Sequence, residues 1–405
     1  MKVLFVSDYG TPSGGAELEL LRLRDGLRER GHEARLLASS ARPGREPSRA
    51  DAECFGTLSG WRTPLQTANP WARRRLRQEL ETFRPDVVHV GLFLTQLSPL
   101  ILPLLARVPS LYHVMWYRPV CPLGTKLLPD GSICRVPWGR PCLENGCLPF
   151  PDWTLLMLQM RRWRRWRRVF RQIVAVSEAV RLRLEAEGIE PVTVIAAGWE
   201  PNPPGPPLDR DPLIVFAGRL VPEKGTHILV SAFAAIAGRH PTARLRIAGD
   251  GPDRGRLERL VAAHGLRDQV TFLGHLDRAG VERAFAGAWA QAVPSIWEEP
   301  YGLVAAEAMM RGTAVLASRI GGLGPLVQDG ETGLHVPAGD ARALASVLDR
   351  VVGDRAFAER LGAAGRSAAA LRARVDPVEQ FLELYVALLG ESARPALHCV
   401  PRTRS

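Results

Sequence analysis

Short apolar runs alternate with amphipathic stretches along almost the whole chain. In the first half the runs predict strands at Val3–Ser7, Ala34–Ala38, Asp86–Val90, Ser110–Met115, Gln172–Val176 and Val192–Ala196. In the second half they fall at Leu213–Ala217, Arg244–Ala248, Val270–Leu273, Gln291–Val293, Ala314–Ala317 and Leu334–Val336. Strands that are apolar throughout are buried on both faces, and strands that alternate with helices form parallel sheets. The pattern therefore predicts an α/β protein. No solenoid-length repeat interrupts it.

Between the two halves lies Glu200-Pro-Asn-Pro-Pro-Gly-Pro-Pro-Leu-Asp-Arg-Asp-Pro212. So many prolines exclude a helix or a central strand and predict a stiff, extended connection. The expected organisation is a first domain over 1–200, a proline-rich linker over 201–212 and a second domain over 213–375. A helix over 376–391 would pack back on the first domain, and residues from about Ser392 read as a frayed end. Ligands of such sheets sit beyond the carboxyl ends of the strands, so two facing domains make a cleft.

A length of 405 residues suits two domains. With 46% hydrophobic and 23% charged residues, the composition is that of a globular protein with a large core. No apolar run reaches the length of a membrane span. The chain opens directly into a strand, Lys2–Asp8, without the pattern of a secretory leader, so the expected location is cytoplasmic. A net charge of +11 favours anionic partners such as nucleotides or lipid headgroups. Nucleic acid is not expected, because the Arg161-Arg-Trp-Arg-Arg-Trp-Arg-Arg168 stretch has no recognised nucleic-acid module around it.

The chemistry concentrates in Ser295-Ile-Trp-Glu-Glu-Pro-Tyr-Gly-Leu-Val-Ala-Ala-Glu-Ala-Met-Met-Arg-Gly312. This reads as a loop turning through Pro300 and Gly302 into a helix. A helix start offers free N–H groups and a positive dipole end, which suit a phosphate. Glu299 lies just before the helix and Glu307 inside it, so both could face one ligand, and each carboxylate can accept sugar hydroxyls. The strand Leu213–Gly218 runs into Arg219-Leu-Val-Pro-Glu-Lys-Gly225, placing Arg219 and Lys224 where two cations would neutralise a diphosphate. After the first strand, Ser13-Gly-Gly-Ala16 offers Gly14 and Gly15 for close backbone approach to a ligand. It is not a G-x-G-x-x-G fingerprint, which disfavours a nicotinamide dehydrogenase.

These segments, with Ala248-Gly-Asp-Gly-Pro252, Val270-Thr-Phe-Leu-Gly274, Gly321-Gly322 and Asp329-Gly-Glu-Thr-Gly-Leu334, resemble retaining GT-B glycosyltransferases of family 4, the group 1 glycosyltransferases. The resemblance covers nearly the whole chain and is strongest over 213–348. It implies a GT-B fold, two Rossmann-like domains across a cleft. It implies a nucleoside diphosphate sugar donor (UDP- or GDP-linked), retention of configuration, and a glycan or lipid-linked acceptor. By resemblance, Arg219 and Lys224 hold the diphosphate, Glu307 the ribose, and Glu299 the donor sugar. Backbone at Tyr301, Gly302 and Leu303 would cap the phosphates, while Gly14 and Gly15 reach across from the first domain. His113 matches an active-site histidine near the reacting carbon. Tyr301 stands where the family usually has phenylalanine. The leaving phosphate itself would take the acceptor proton, and no catalytic metal is implied. Asp209-Arg-Asp211, formally a metal-binding pair, lies in the linker and reads as chance.

Two segments stay open. Cys121, Cys134, Cys142 and Cys147 fall in a Pro- and Gly-rich insert, 117–150, after the His113 strand. They could wrap a structural zinc ion, although their spacing lacks C-x2-C pairs; free or transiently oxidised thiols are the alternative. Trp153–Arg171 mixes tryptophan and leucine with arginine. It would either lie on an anionic membrane at the inner face or be a surface helix whose tryptophans face the core. Rival activities are a nucleotide-sugar epimerase on the same fold and a degenerate nucleotide-sugar-binding module. The full set of Glu299, Glu307, Arg219 and Lys224 argues against the second.

Overall fold

A computed structural model describes residues 1–44, 46–199 and 205–392. It contains two parallel sheets. The first has seven strands in the order β3-β2-β1-β4-β5-β6-β7. They are β1 (Lys2–Tyr9), β2 (Glu33–Ser39), β3 (Ala52–Cys54), β4 (Val87–Val90), β5 (Ser110–Val114), β6 (Gln172–Ala175) and β7 (Val192–Val194). The second has six strands in the order β10-β9-β8-β11-β12-β13. They are β8 (Leu213–Ala217), β9 (Arg244–Ala248), β10 (Val270–Gly274), β11 (Ala290–Val293), β12 (Ala314–Ser318) and β13 (Gly333–Val336).

Burial explains the apolar runs. Val3 through Val6 and Ile214 through Val215 are fully enclosed, as strands with helices on both faces must be. Only β3 escaped the periodicity. It is three residues long, pairs Leu37 with Ala52 and Ser39 with Cys54, and forms the sheet edge, where so short a run carries little pattern.

Both sheets change direction beside their central strand: β1 lies between β2 and β4, and β8 between β9 and β11. A crevice opens at such a switch point because the connections leave it on opposite sides. The loops after β1, β4, β5, β8 and β11 all meet there.

The linker residues 200–204 lie outside the described residues. From Gly205 the chain runs along the second domain, where Gly205 N donates to Arg311 O at 3.1 Å and Asp209 N to Gly287 O at 2.9 Å. The helix Pro377–Ser392 lies on the first sheet, where Tyr385 Oη and His89 Nδ1 are 2.6 Å apart and Phe381 packs on His89 at 4.8 Å between ring centroids. Residues beyond 392, read from sequence as frayed, lie outside the described residues.

The helix Phe150–Trp166 spends its apolar side on the core. Leu156, Met160 and Trp163 are buried, and Trp163 Nε1 donates to Pro119 O at 3.0 Å. Trp163 thus faces the core, while Trp153 and Trp166 are half-buried. Arg161, Arg164 and Arg165 face water, as do Phe150 and Leu158.

Candidate active site

The cleft between the two sheets has a volume of about 610 Å³. Gly14, Gly15, Arg219, Lys224, Glu299, Tyr301, Gly302 and Leu303 all line it. The elements that bring them together are the loops at the two switch points.

From the first domain, β1 ends in a turn that feeds the helix Gly15–Glu29. Its N-cap is Gly14, which makes no side-chain cap, so the first N–H groups are left for other acceptors. A Cβ on Gly15 would lie 2.8 Å from Leu303 Cδ1, across the cleft. Gly15 and Leu303 thus face one another from the two domains.

From the second domain, β8 runs through Gly218 and Arg219 into the short turn Pro222–Lys224. Gly225 follows with φ of +67°, and a Cβ there would lie 1.9 Å from Pro294 O. Only glycine fits, and this contact locks the Lys224 turn against the loop after β11. Lys224 Nζ consequently sits 2.7 Å from Glu299 Oε1. Ser295 Oγ donates to the same oxygen at 2.6 Å. Glu299 is buried, which by itself would raise its pKa. The Lys224 ammonium and the hydrogen bond from Ser295 outweigh that and hold it below the usual carboxylate range. It is therefore an ionised carboxylate at neutral pH. Arg219 keeps its side chain largely in solvent on the same wall.

The helix Leu303–Arg311 starts at Gly302, whose φ of +100° turns the chain sharply without a side-chain cap. Its first-turn N–H groups open toward the cleft, where Gly302, Leu303 and Val304 form the wall. Glu307 lies one turn further in. Burial pushes its carboxyl above the usual range, against the opposing pull of Arg311 and Arg278.

Three contacts join the domains across the cleft. Arg183 Nε and Nη2 donate to the two oxygens of Glu298, each at 2.7 Å. Ser177 Oγ donates to Pro300 O. Tyr117 meets Trp297 edge-on with ring centroids 6.3 Å apart. All three contacts land on the segment carrying Glu299.

His113 is not brought to the cleft. It sits inside β5, fully enclosed, with its ring 5.4 Å from His89 and 4.9 Å from Phe381. Neither ring nitrogen has a hydrogen-bond partner among the described residues, and burial lowers its pKa to about 3. The physical reason is position along the strand: His113 lies inside β5, packed on Phe381 of the C-terminal helix, while Met115 and Trp116, beyond the strand's carboxyl end, reach the cleft. The four cysteines of the insert are half-buried. All are free thiols, and among the described residues no three Cys, His, Asp or Glu side chains converge to hold a metal ion. Cys134 Sγ instead donates to Val136 O at 3.6 Å. Burial raises the Cys142 and Cys147 thiols, with neighbouring cysteines adding to the effect.

Sequence reasoning missed several cleft residues. Glu17, in the first turn after the glycines, lines the cleft, and burial pushes its carboxyl up to about 7. Tyr9, Arg62, Thr95 and Trp116 complete the first-domain side. Thr95 is held by the buried Asp8, which accepts the N–H groups of Thr95, Gln96 and Leu97 at 2.8, 2.7 and 2.7 Å. Glu17's place directly after Gly14-Gly15-Ala16 was the only available signal. The others depend on which loops meet.

Two family models tile the chain: Glycosyltransferase Family 4 over residues 13–202 and Glycosyl transferases group 1 over 202–368. The protein belongs to the group 1 glycosyltransferases. It is 33% identical over 154 residues to alpha-D-kanosaminyltransferase of Streptomyces kanamyceticus, covering 38% of this chain and 40% of that one. It is 35% identical over 184 residues to glycogen synthase of Mycobacterium tuberculosis, covering 44% of each. The matches thus span less than half the length of these curated relatives. Among solved structures, sucrose-phosphate synthase from Thermosynechococcus elongatus superimposes with a TM-score of 0.71 at 23% identity, over 96% of this chain and 100% of the other. Anabaena HepE in complex with UDP-glucose gives a TM-score of 0.66 at 22% identity, over 96% and 100%. The glycosyltransferase shares their fold, the GT-B pair of Rossmann-like domains. No helix among its described residues is long and apolar enough to cross a membrane.

Proposed function

We propose that this glycosyltransferase moves a sugar from a UDP- or GDP-linked donor to a glycan or lipid-linked acceptor, with retention of configuration and without a catalytic metal ion. The observation that carries the reading is the Lys224–Glu299 pair at 2.7 Å, beside Arg219 and the uncapped start of the Leu303–Arg311 helix. A pyrophosphate on that helix start is met by two cations and free N–H groups. Those groups neutralise the charge that grows on the leaving phosphate as the glycosidic bond breaks. Glu299 stays ionised beside the sugar and stabilises the positive charge that develops on its ring. Glu307 stands further along the helix, toward the ribose. The acceptor enters from the first-domain side, past Tyr9, Arg62 and Trp116. The acceptor oxygen bonds to the anomeric carbon on the face that the phosphate leaves. Its proton passes to that phosphate. Asp209 and Asp211 take no part, since Asp209 lies against Gly287 and does not line the cleft. The UDP-glucose held by HepE supports a nucleotide-sugar donor.

The test is a panel of nucleotide sugars scored by thermal stabilisation and slow donor hydrolysis, with and without a chelator. One donor should stabilise the protein and be hydrolysed equally in both conditions, with the anomer retained when an acceptor is found. Glu307→Ala should weaken that stabilisation. Absence of any stabilising donor, or hydrolysis abolished by chelator, refutes the reading.

A further inference from the structure

Four large apolar side chains stand in solvent within one short stretch at the cleft's outer rim. Trp61 is 76% exposed, Trp71 53%, Phe55 50% and Leu58 50%. Their neighbourhood is fixed by the fold. The Phe55 and Trp71 rings are 5.2 Å apart, and Asn69 Nδ2 ties the segment together by donating to Phe55 O at 3.0 Å. Trp61 caps the helix Arg62–Thr67, and Leu58 and Arg62 line the cleft itself. Isolated exposed apolar residues need no explanation, but a cluster of aromatics beside a ligand cleft marks a contact surface.

Basic residues adjoin this patch. Trp71 opens the helix Pro70–Thr82, on which Arg73, Arg74 and Arg77 are exposed. Arg74 stands one turn from Trp71 on the same side of the helix. None of these three arginines has an ion pair among the described residues. The carboxylate nearest in sequence, Glu79, is taken by Arg75 at 2.9 Å and Arg35 at 3.8 Å. Exposed tryptophan flanked by unpaired arginine fits the interface of an anionic bilayer, where indole sits at headgroup depth and each arginine meets lipid phosphate. A two-fold contact between copies would set the arginines near their own kind. A neutral glycan gives them nothing to neutralise.

We propose that the Phe55–Arg77 face docks the protein on an anionic lipid surface and sets the first-domain side of the cleft against it. Leu58 and Arg62 then form the passage by which an acceptor carried in that surface reaches the site. The arginines of 161–168 are a separate feature and are not the docking face. The proposal does not depend on sugar transfer, because lipid binding is read without turnover.

The experiment is co-sedimentation of the full chain with vesicles of phosphatidylcholine alone or mixed with phosphatidylglycerol, at several salt concentrations. Wild type should bind the mixed vesicles, bind the neutral ones at least tenfold more weakly, and release as salt rises. Trp61→Ser/Trp71→Ser should lose at least tenfold in binding, and each of Arg73→Gln, Arg74→Gln and Arg77→Gln about fivefold at most. Melting temperature and donor hydrolysis should match wild type, which separates this result from misfolding and from failure of the transfer reading. Arg161→Gln/Arg164→Gln/Arg165→Gln should keep most of the binding. The proposal is overturned if wild type ignores anionic vesicles or if the tryptophan pair binds like wild type. It is equally overturned if only the 161–165 variant loses binding, or if the tryptophans instead drive self-association measured by sedimentation velocity.

Discussion

Replacing Lys224 with methionine tests the centre of the site. The change keeps the length of the side chain and removes its charge. Glu299 is then left buried, with Ser295 as its remaining close partner at 2.6 Å. At 2.7 Å the Coulomb attraction in the wild type is roughly 6 kcal/mol for an effective dielectric constant near 20. Most of it offsets desolvation, and breaking one side of a buried pair costs about 3 kcal/mol net. For a domain of this size that is a fall in melting temperature of roughly 6–12 °C. The pH dependence has a definite sign. In the wild type the Glu299 pKa is depressed, so its pair contributes stability above the unfolded carboxylate pKa and loses it as pH falls through the folded value. Without Lys224, burial dominates and the carboxyl pKa rises, so Lys224→Met should lose least stability in acid and most at neutral pH. The double variant Lys224→Met/Glu299→Gln should recover much of the melting temperature, because the uncompensated charge is gone. It should recover no turnover, since both groups are absent, and turnover should stay down about 100-fold or more. Scanning calorimetry from pH 4 to 8 with donor hydrolysis measures both. A double variant no more stable than the single one would refute the reasoning.

Gly15→Trp should lower kcat/KM for transfer by about tenfold with little change in melting temperature, because an indole built on a Cβ already 2.8 Å from Leu303 Cδ1 is too large for a leucine rotamer to clear and holds the domains apart. Small-angle scattering with bound donor should show a more open particle, and an unchanged profile would count against the idea. Arg183→Ala should raise the KM for donor several-fold, since it removes the bidentate pair with Glu298 at 2.7 Å that holds the Glu299 segment shut. Glu17→Gln should melt higher than wild type above pH 7 and equal to it near pH 4. Burial raises this carboxyl to about 7, so ionising it in the folded state costs stability as pH rises. His113→Leu should keep turnover and lose little or no stability, because it replaces two buried, unpartnered nitrogens with apolar volume. A large loss of turnover would return His113 to the chemistry.

The sequence determined the elements and the half of the site that lies on contiguous chain. Strands buried on both faces are mainly apolar, so twelve of the thirteen strands among the described residues were legible, and only the three-residue edge strand Ala52–Cys54 was not. Arg219, Lys224, Glu299 and Gly302 were legible because each follows a strand directly, and short loops leave little freedom in where such residues go. What tertiary structure alone decided depends on pairs far apart in the chain. Its place inside β5 and the returning Pro377–Ser392 helix buried His113, although the resemblance pointed it to the cleft. The core claimed Trp163, while Trp61 and Trp71 were left in water, a division that composition cannot express. The four insert cysteines came near one another through the fold of the loop and not through their spacing. Periodicity reports how one element meets its own neighbours, whereas a cleft is made where separate elements happen to meet.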